Sequence, residues 1–361
     1  MGDQVDGARA AAPVSSPDVM EVVSDIWVRA LGRKGRVPHA NLLRIGVGGK
    51  RIMQIVDEIE GSLGVKIPLG AALKLGTAEA IADAVKASKW PAPSPLILMK
   101  DGRDGCPLYL LAGGHGIVIE VCYLGSAISH PGKTVALQPP GFEGEVPTLD
   151  SVQDLATYYV DHMGGEAADP VNIVGFSFGG LVALEMARIL HRRGRKLGLV
   201  GLIDSHLAER QWPLATRARY LWGRVVARLR AFQQVPPGRR VDAIRNSARP
   251  LLKVLKRLFS AVSSHPSLSH YYQPHIDIRI KAVKDLAIVA FEKYAPRPVD
   301  FPVVLFKSIR DARDIVDPEN IWRPIIPQLE VVEIEGKHAS MILPPLVHVL
   351  AAEIAARLSN K

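Results

Sequence analysis

The chain has 361 residues, 48% of them hydrophobic, which is room for one large domain with a sizeable core and one small domain. Its two cysteines, Cys106 and Cys122, exclude a disulfide framework and a cysteine-built metal site, and they fit a reducing, cytoplasmic setting. The net charge of +9 is concentrated between Arg210 and Arg257, where eleven Arg and two Lys meet one acid, Asp242; so local a basic stretch argues for a local acidic partner and against nucleic acid.

Met1 to Ser16 carries Asp3, Asp6 and an Ala/Pro-rich run with no apolar segment, which predicts a disordered tail and neither a signal peptide nor a membrane span. No run of about 18 apolar residues occurs anywhere, so no transmembrane helix is expected.

Residues 17–88 predict a small all-α unit. Ser16 can cap a helix with Pro17 at its first position, followed by Val22, Ile26, Trp27 and Ala30. A second helix starts near Lys50, with Ile52, Ile55, Val56, Ile59 and Leu63 on one face and Gly64 past its end. An extended connection over 64–69 leads to a third helix capped by Thr77. Residues 89–95, with Pro91, Pro93 and Pro95, read as a linker.

From residue 96 to 361 the pattern changes. Leu96 to Met99 and Pro107 to Leu111 flank two Asp-Gly turns and predict a hairpin. Strands are then expected at Thr134, Val171 and Leu197, with helices over 151–163 and 178–193 between them. Strands follow at Val303 and Leu329, and a last helix at about 345–358. Such alternation predicts an α/β fold, a mostly parallel sheet with helices on both faces. The alternation breaks over about 206–294, a basic, Pro-interrupted helical insertion with Leu221, Val225, Leu229 and Phe232 at helical spacing. An insertion after a strand of such a sheet is where a lid sits.

The most informative stretch is Val171 to Ala187. A buried strand runs into Gly175-Phe-Ser177-Phe-Gly179 and then into a helical pattern with Val182, Met186 and Ile189. Strand, Gly-x-Ser-x-Gly, helix is a nucleophile elbow, and Ser177 is its nucleophile. A serine hydroxyl needs a base, and the base an orienting acid. His338, just after a strand and before the last helix, is the expected base, with His206 and His115 as alternatives. Asp204, which ends an apolar run, is the expected acid; Asp311 or Asp314 serve in a second scheme. An oxyanion hole needs two N–H groups. Phe178 is expected to supply one, and the loop Ala112-Gly-Gly-His-Gly116 the other, from Gly114. No metal site is expected.

Two resemblances follow from these residues. Asn41-Leu-Leu-Arg-Ile-Gly-Val-Gly-Gly-Lys50, its amphipathic helix and Gly64 to Leu69 resemble the carrier domains of nonribosomal peptide and polyketide synthases. That family reads Asn-Phe-Phe-Asp-Leu-Gly-Gly-Asp-Ser-Leu, and its serine carries phosphopantetheine. Aligned without gaps, that serine falls on Gly49 and the preceding acid on Gly48. The resemblance therefore implies a degenerate carrier unit with no arm and no cofactor, a docking or solubilising element. Pro107 to Gly113, Ala136-Leu-Gln-Pro-Pro-Gly141, Gly175 to Gly180, Leu202-Ile-Asp-Ser205 and His338-Ala-Ser-Met-Ile-Leu-Pro-Pro345 resemble the thioesterase domains that end those assembly lines. The family often has His-Pro where this chain has Ala112-Gly113.

The resemblance implies an α/β-hydrolase fold with a helical lid and a Ser177–His338–Asp204 triad. It implies release of an acyl or peptidyl chain from a phosphopantetheine thioester, on a carrier protein or coenzyme A, through acyl-Ser177. The Arg-rich lid can dock an acidic carrier protein or bind coenzyme A phosphates. The rivals are an acyltransferase or cyclase that uses an amine or hydroxyl acceptor, and a non-catalytic interaction protein.

Overall fold

The structure, a computed structural model, describes residues 18–31, 41–43, 49–103, 105–114, 116–142, 149–164, 169–219, 222–223, 226, 278–309 and 318–359. The expected tail, Ser16, Pro17, Gly48, His115, Asp311, Asp314, most of the Arg-rich segment and the helical pattern from Leu221 to Phe232 lie outside these residues.

Four helices open the chain: α1 (Val19–Leu31), α2 (Gly49–Leu63), α3 (Leu69–Leu75) and α4 (Ala78–Ala87). Helix α1 begins later than Ser16 and Pro17 suggest. Asp18 caps it, its Oδ1 accepting from the Met20 N–H at 3.0 Å. Thr77 caps α4 by accepting from the Ala80 N–H at 3.2 Å. Helix α3 is too short for helical periodicity to announce it. Its C-cap, Gly76, has φ 69° and closes the last turn onto the Ala72 carbonyl.

Seven strands follow: β1 (Leu96–Lys100), β2 (Leu108–Leu111), β3 (Thr134–Leu137), β4 (Val171–Phe176), β5 (Leu197–Ile203), β6 (Val303–Ser308) and β7 (Leu329–Ile334). Helices α5 (Cys122–Ala127), α6 (Val152–His162) and α7 (Phe178–Arg192) come between β2 and β5. Helix α8 (Ile278–Lys293) precedes β6, α9 (Pro318–Trp322) lies between β6 and β7, and α10 (Val347–Ser359) is last. The sheet order is β1-β3-β2-β4-β5-β6-β7. Only β1 runs antiparallel to its neighbour. This is the α/β-hydrolase architecture.

The expected hairpin is corrected. β1 pairs with β3, and β2 lies between β3 and β4. All four residues of β2 are buried, so this strand needs a parallel neighbour on each side. β1 alternates buried and exposed residues and suits an edge. Turn chemistry specified a bend there but not a partner.

Two cores flank the sheet. One face packs against α6, α7, α8 and α9 through Leu155, Leu181, Met186, Ala287 and Trp322. The other packs against α5 and α10, and its apolar cluster runs on into the N-terminal helices through Trp27, Leu43 and Ile55. The Ser126 hydroxyl on α5 donates to the Leu43 carbonyl at 2.9 Å. Helix α8 is tied down at its end. The Tyr294 hydroxyl donates to Glu185 of α7 at 2.9 Å, and Arg188 pairs with the same carboxylate. Burial, then that carboxylate, hold the Tyr294 phenol well above its usual range, so it stays a donor. Among the described residues no helix is long and apolar enough to cross a membrane.

Trp322 connects the core against α6 to α9 with the end of β5. It is fully buried, and its indole N–H donates to the Ser205 carbonyl at 2.8 Å. Trp322→Phe keeps an aromatic ring but leaves that carbonyl without its partner. The expected cost is about 1–3 kcal/mol, read as a lower urea midpoint.

Candidate functional site

The site forms where the strands end. Ser177 sits between β4 and α7 with φ 53° and ψ −118°, a backbone conformation that non-glycine residues avoid. Its surroundings hold it there. The Ser177 N–H donates to the Ile203 carbonyl at 2.8 Å, and its carbonyl accepts from Gly180 at 3.1 Å. A Cβ at Gly175 would collide with the Gly179 carbonyl, and one at Gly179 with the Ala112 carbonyl. The spacing Gly-x-Ser-x-Gly is therefore a steric requirement of this turn.

Asp204 follows β5, again with positive φ, 45°. Its side chain has no solvent exposure. Its Oδ2 lies 2.7 Å from His338 Nδ1. Its Oδ1 accepts from the Ser308 hydroxyl at 3.0 Å and from the Ser308 N–H at 3.3 Å. The hydrogen bond at Nδ1 makes that nitrogen the donor, which leaves Nε2 as the proton acceptor of a neutral imidazole. The His338 ring stacks on Phe176, the residue before Ser177, at 4.8 Å between centroids. Elbow, imidazole and carboxylate thus lie together, an arrangement that can activate a serine hydroxyl.

Of the alternatives, His206 is close but not equivalent. Its Nε2 is 3.8 Å from Asp204 Oδ1, against 2.7 Å for the His338 contact. Asp204, His206 and His338 place ligand-type atoms within 4.8 Å of one another. Two of the three are joined by the short Asp204–His338 hydrogen bond.

Phe178 is the first residue of α7, where backbone N–H groups point out of the helix. Gly114 lies in a half-buried turn, with open space where a Cβ would stand. Gly113, beside it, approaches Ser177: its ideal Cβ would lie 3.3 Å from the Ser177 Cβ. The Gly113 N–H is already committed, donating to Glu120 Oε2 at 2.7 Å. Glu120 was not among the expected residues. Its signal was an acid inside the apolar run Ile117 to Cys122, where a carboxylate needs a partner. Ser308, likewise missed, ends an apolar strand and gave no such signal.

Against the site lies an apolar cleft. Leu111, Leu137, Pro139 and Pro140 form its floor at the strand ends, Leu155 and Tyr159 of α6 and Phe178 and Val182 of α7 its sides. Val283, Leu286, Ala287 and Ala290 of α8 cover it. The empty space is about 530 Å³, open mouth included. Clefts of this kind, outside the carboxyl ends of parallel strands, are where such sheets bind ligands.

Two family models match the chain: the thioesterase domain over residues 107–354 and the phosphopantetheine attachment site over 21–85. Malpibaldin synthetase of Mortierella alpina is 23% identical over 363 residues, covering 98% of this chain and 6% of that protein. The dimodular nonribosomal peptide synthase of Bacillus subtilis (strain 168) is 22% identical over 374 residues, covering 93% of this chain and 15% of that protein. A solved four-domain nonribosomal peptide synthetase, bound to AMP and glycine, aligns with a TM-score of 0.52 and 20% identity. It covers 98% of this chain and 27% of that one, a likeness of fold. The chain spans less than a third of the length of each of these relatives.

The attachment-site match implies a phosphopantetheine group, but the residues here do not fit one. Gly49 opens α2, where the gap-free alignment puts the attachment serine, and glycine has no hydroxyl to esterify. Ser24 is buried within α1, and Ser62 lies at the far end of α2.

Removing one side of the Asp204 constellation tests it. Asp204→Asn should lower kcat on the order of 10⁴-fold with the fold retained, because an amide cannot hold the imidazole in the required tautomer. Ser308→Ala, which removes one of the bonds to the same carboxylate, should lower kcat about tenfold. Steady-state thioester hydrolysis reads both.

Proposed function

The chain belongs to the thioesterase family, and from that premise we propose that it cleaves a phosphopantetheine-linked acyl or peptidyl thioester through an ester on Ser177. The observation that supports this most directly is the strained serine at the elbow beside a His338 held by a fully buried Asp204. Ser177 Oγ attacks the thioester carbonyl while His338 Nε2 takes its proton. The Phe178 and Gly114 N–H groups receive the developing oxyanion. The C–S bond breaks, and His338 returns the proton to the departing thiolate. Water, deprotonated by the same nitrogen, then cleaves the acyl-serine ester and releases the free acid and Ser177.

The helical unit of α1 to α4 takes no part in this chemistry as a carrier, since Gly49 cannot bear the arm. The thioester therefore comes from another carrier or from coenzyme A. The basic stretch between Arg210 and Arg257 is the place for an acidic carrier to dock.

Intact mass of the protein mixed with hexanoyl-N-acetylcysteamine should show an acyl adduct that Ser177→Ala lacks, with hexanoic acid accumulating. An adduct that clears only when an amine or alcohol is supplied would assign acyl transfer in place of hydrolysis. Phosphopantetheinyl transferase and coenzyme A should add no mass to the chain. Turnover of an acyl-carrier substrate should fall with added salt while that of the small thioester holds steady; equal salt responses would remove the electrostatic dock.

A further inference from the structure

The glycine loop beside Ser177 is held by a carboxylate to which the reaction above gives no part. Three of the five residues from Ala112 to Gly116 are glycine, so the backbone there has little conformational preference of its own. Among the described residues no atom lies within 4 Å of where a Gly114 Cβ would stand, so packing on that side does not fix Gly114. Hydrogen bonds fix its neighbour instead. The Gly113 N–H donates to Glu120 Oε2 at 2.7 Å, the short length of a charge-assisted bond. The Gly113 carbonyl accepts from the Gly116 N–H at 2.9 Å. Gly116 turns there with φ 68°, where a Cβ would meet Val283 and Pro139. Glu120 is itself well placed. It is half-buried between Ile119 and Val121, both buried, and its own N–H donates to the Ile117 carbonyl at 3.0 Å. The Val118 N–H, two residues before it, donates to the buried Gln138 side-chain oxygen at 3.0 Å. A side chain at Gly113 would crowd the contact, because an ideal Cβ there lies 2.9 Å from Glu120 Oε2.

Resting on the reading of Ser177 as the acylated residue and of Gly114 as an oxyanion donor, we propose that Glu120 is a positioning residue of the reaction. It holds the Gly113 backbone so that the Gly114 N–H is aimed before the oxyanion forms. The peptide that joins Gly113 to Gly114 is planar and trans, so its N–H points opposite to the Gly113 carbonyl. With the Gly113 N–H on Glu120 and its carbonyl on Gly116, the plane of that peptide is set, and with it the direction of the Gly114 N–H. A donor aimed in advance needs no reorganisation when charge develops. The charge of the carboxylate itself opposes an oxyanion. Glu120 therefore serves by its reach and its acceptor oxygen, and its negative charge is incidental.

The test compares full-length Glu120→Ala, Glu120→Asp and Glu120→Gln with the wild type. Each is assayed on hexanoyl-N-acetylcysteamine and inhibited with pentyl trifluoromethyl ketone. Ser177 Oγ adds to the ketone carbonyl carbon, its proton passes to His338, and the adduct carries an oxyanion. Glu120→Ala should lower kcat about 10- to 100-fold with KM within about twofold, and should raise the inhibition constant of the ketone by a similar factor. Glu120→Asp keeps the charge but falls a methylene short, and should lower kcat at least about fivefold. Glu120→Gln keeps the reach and an acceptor oxygen, and should recover kcat to within about threefold of the wild type. A misfolded fraction would lower kcat but leave the inhibition constant unchanged, which separates positioning from stability. Should Glu120→Ala not fold, the Asp and Gln variants decide alone. The proposal is overturned if Ala or Asp behaves as the wild type, if kcat falls while the inhibition constant holds, if KM rises in place of a fall in kcat, or if Gln is as impaired as Ala. Wild-type turnover judges the catalytic reading separately. In a working hydrolase, an unaffected Glu120→Ala removes the role of Glu120 alone. Absence of wild-type turnover and of a Ser177 adduct removes the hydrolase and this role with it.

Discussion

A carboxylate with no solvent exposure is the constraint on which the site depends. Asp204 sits where burial of an unbalanced charge would cost several kcal/mol. Its partners come from three places in the chain. Asp204 itself follows β5, Ser308 ends β6, and His338 lies beyond β7. Only a sheet with β5, β6 and β7 adjacent and parallel brings those ends to one edge. The strand order is therefore part of the electrostatics. Strand β4, on the other side of β5, adds the elbow, whose Ser177 N–H binds the last carbonyl of β5. Two of the three non-glycine residues with positive φ among the described residues are Ser177 and Asp204. Each costs of order 1–3 kcal/mol, which the surrounding ladder must offset.

Much of this was legible in the residues because the constraints are local. The elbow has a sequence signature because backbone collisions at Gly175 and Gly179 forbid side chains. Asp204 was visible as an acid ending an apolar run, and His338 as a histidine between the last strand and the last helix. What was not legible depends on which strands become neighbours. The Asp-Gly turns suggested pairing of β1 with β2, but burial on both faces gave β2 two parallel neighbours and left β1 at the edge. Glu120 and Ser308 matter only through contacts across the fold. A single carboxylate in an apolar run hints at a partner, but the sequence does not say that the partner is the Gly113 N–H.

The cleft shows how a shared scaffold and a variable cover divide the work. Its floor and sides come from strand ends, α6 and α7, which also build the elbow. Its cover is α8, anchored to α7 through Tyr294 and Glu185. That anchor joins a phenol, a carboxylate and a guanidinium in an apolar setting, and it ties the end of α8 to one place on α7. Two of the residues that α8 contributes to the lining, Ala287 and Ala290, are small.

The apolar cluster that runs from the sheet into the N-terminal helices has a mechanical consequence. A carrier that visits several partners must undock at little cost. Here, pulling the helical unit away would break the Ser126–Leu43 hydrogen bond and open a continuous apolar cluster to water, at about 1.5–3 kcal/mol for each large side chain exposed. Such a unit behaves as a buttress and not as a swinging arm. It bears on α5, whose first turn follows directly on the short helical segment Val118–Val121 that contains Glu120. The same short segment thus carries a contact at each end, Ser126 with the helical unit and Glu120 with the Gly113 N–H beside Ser177.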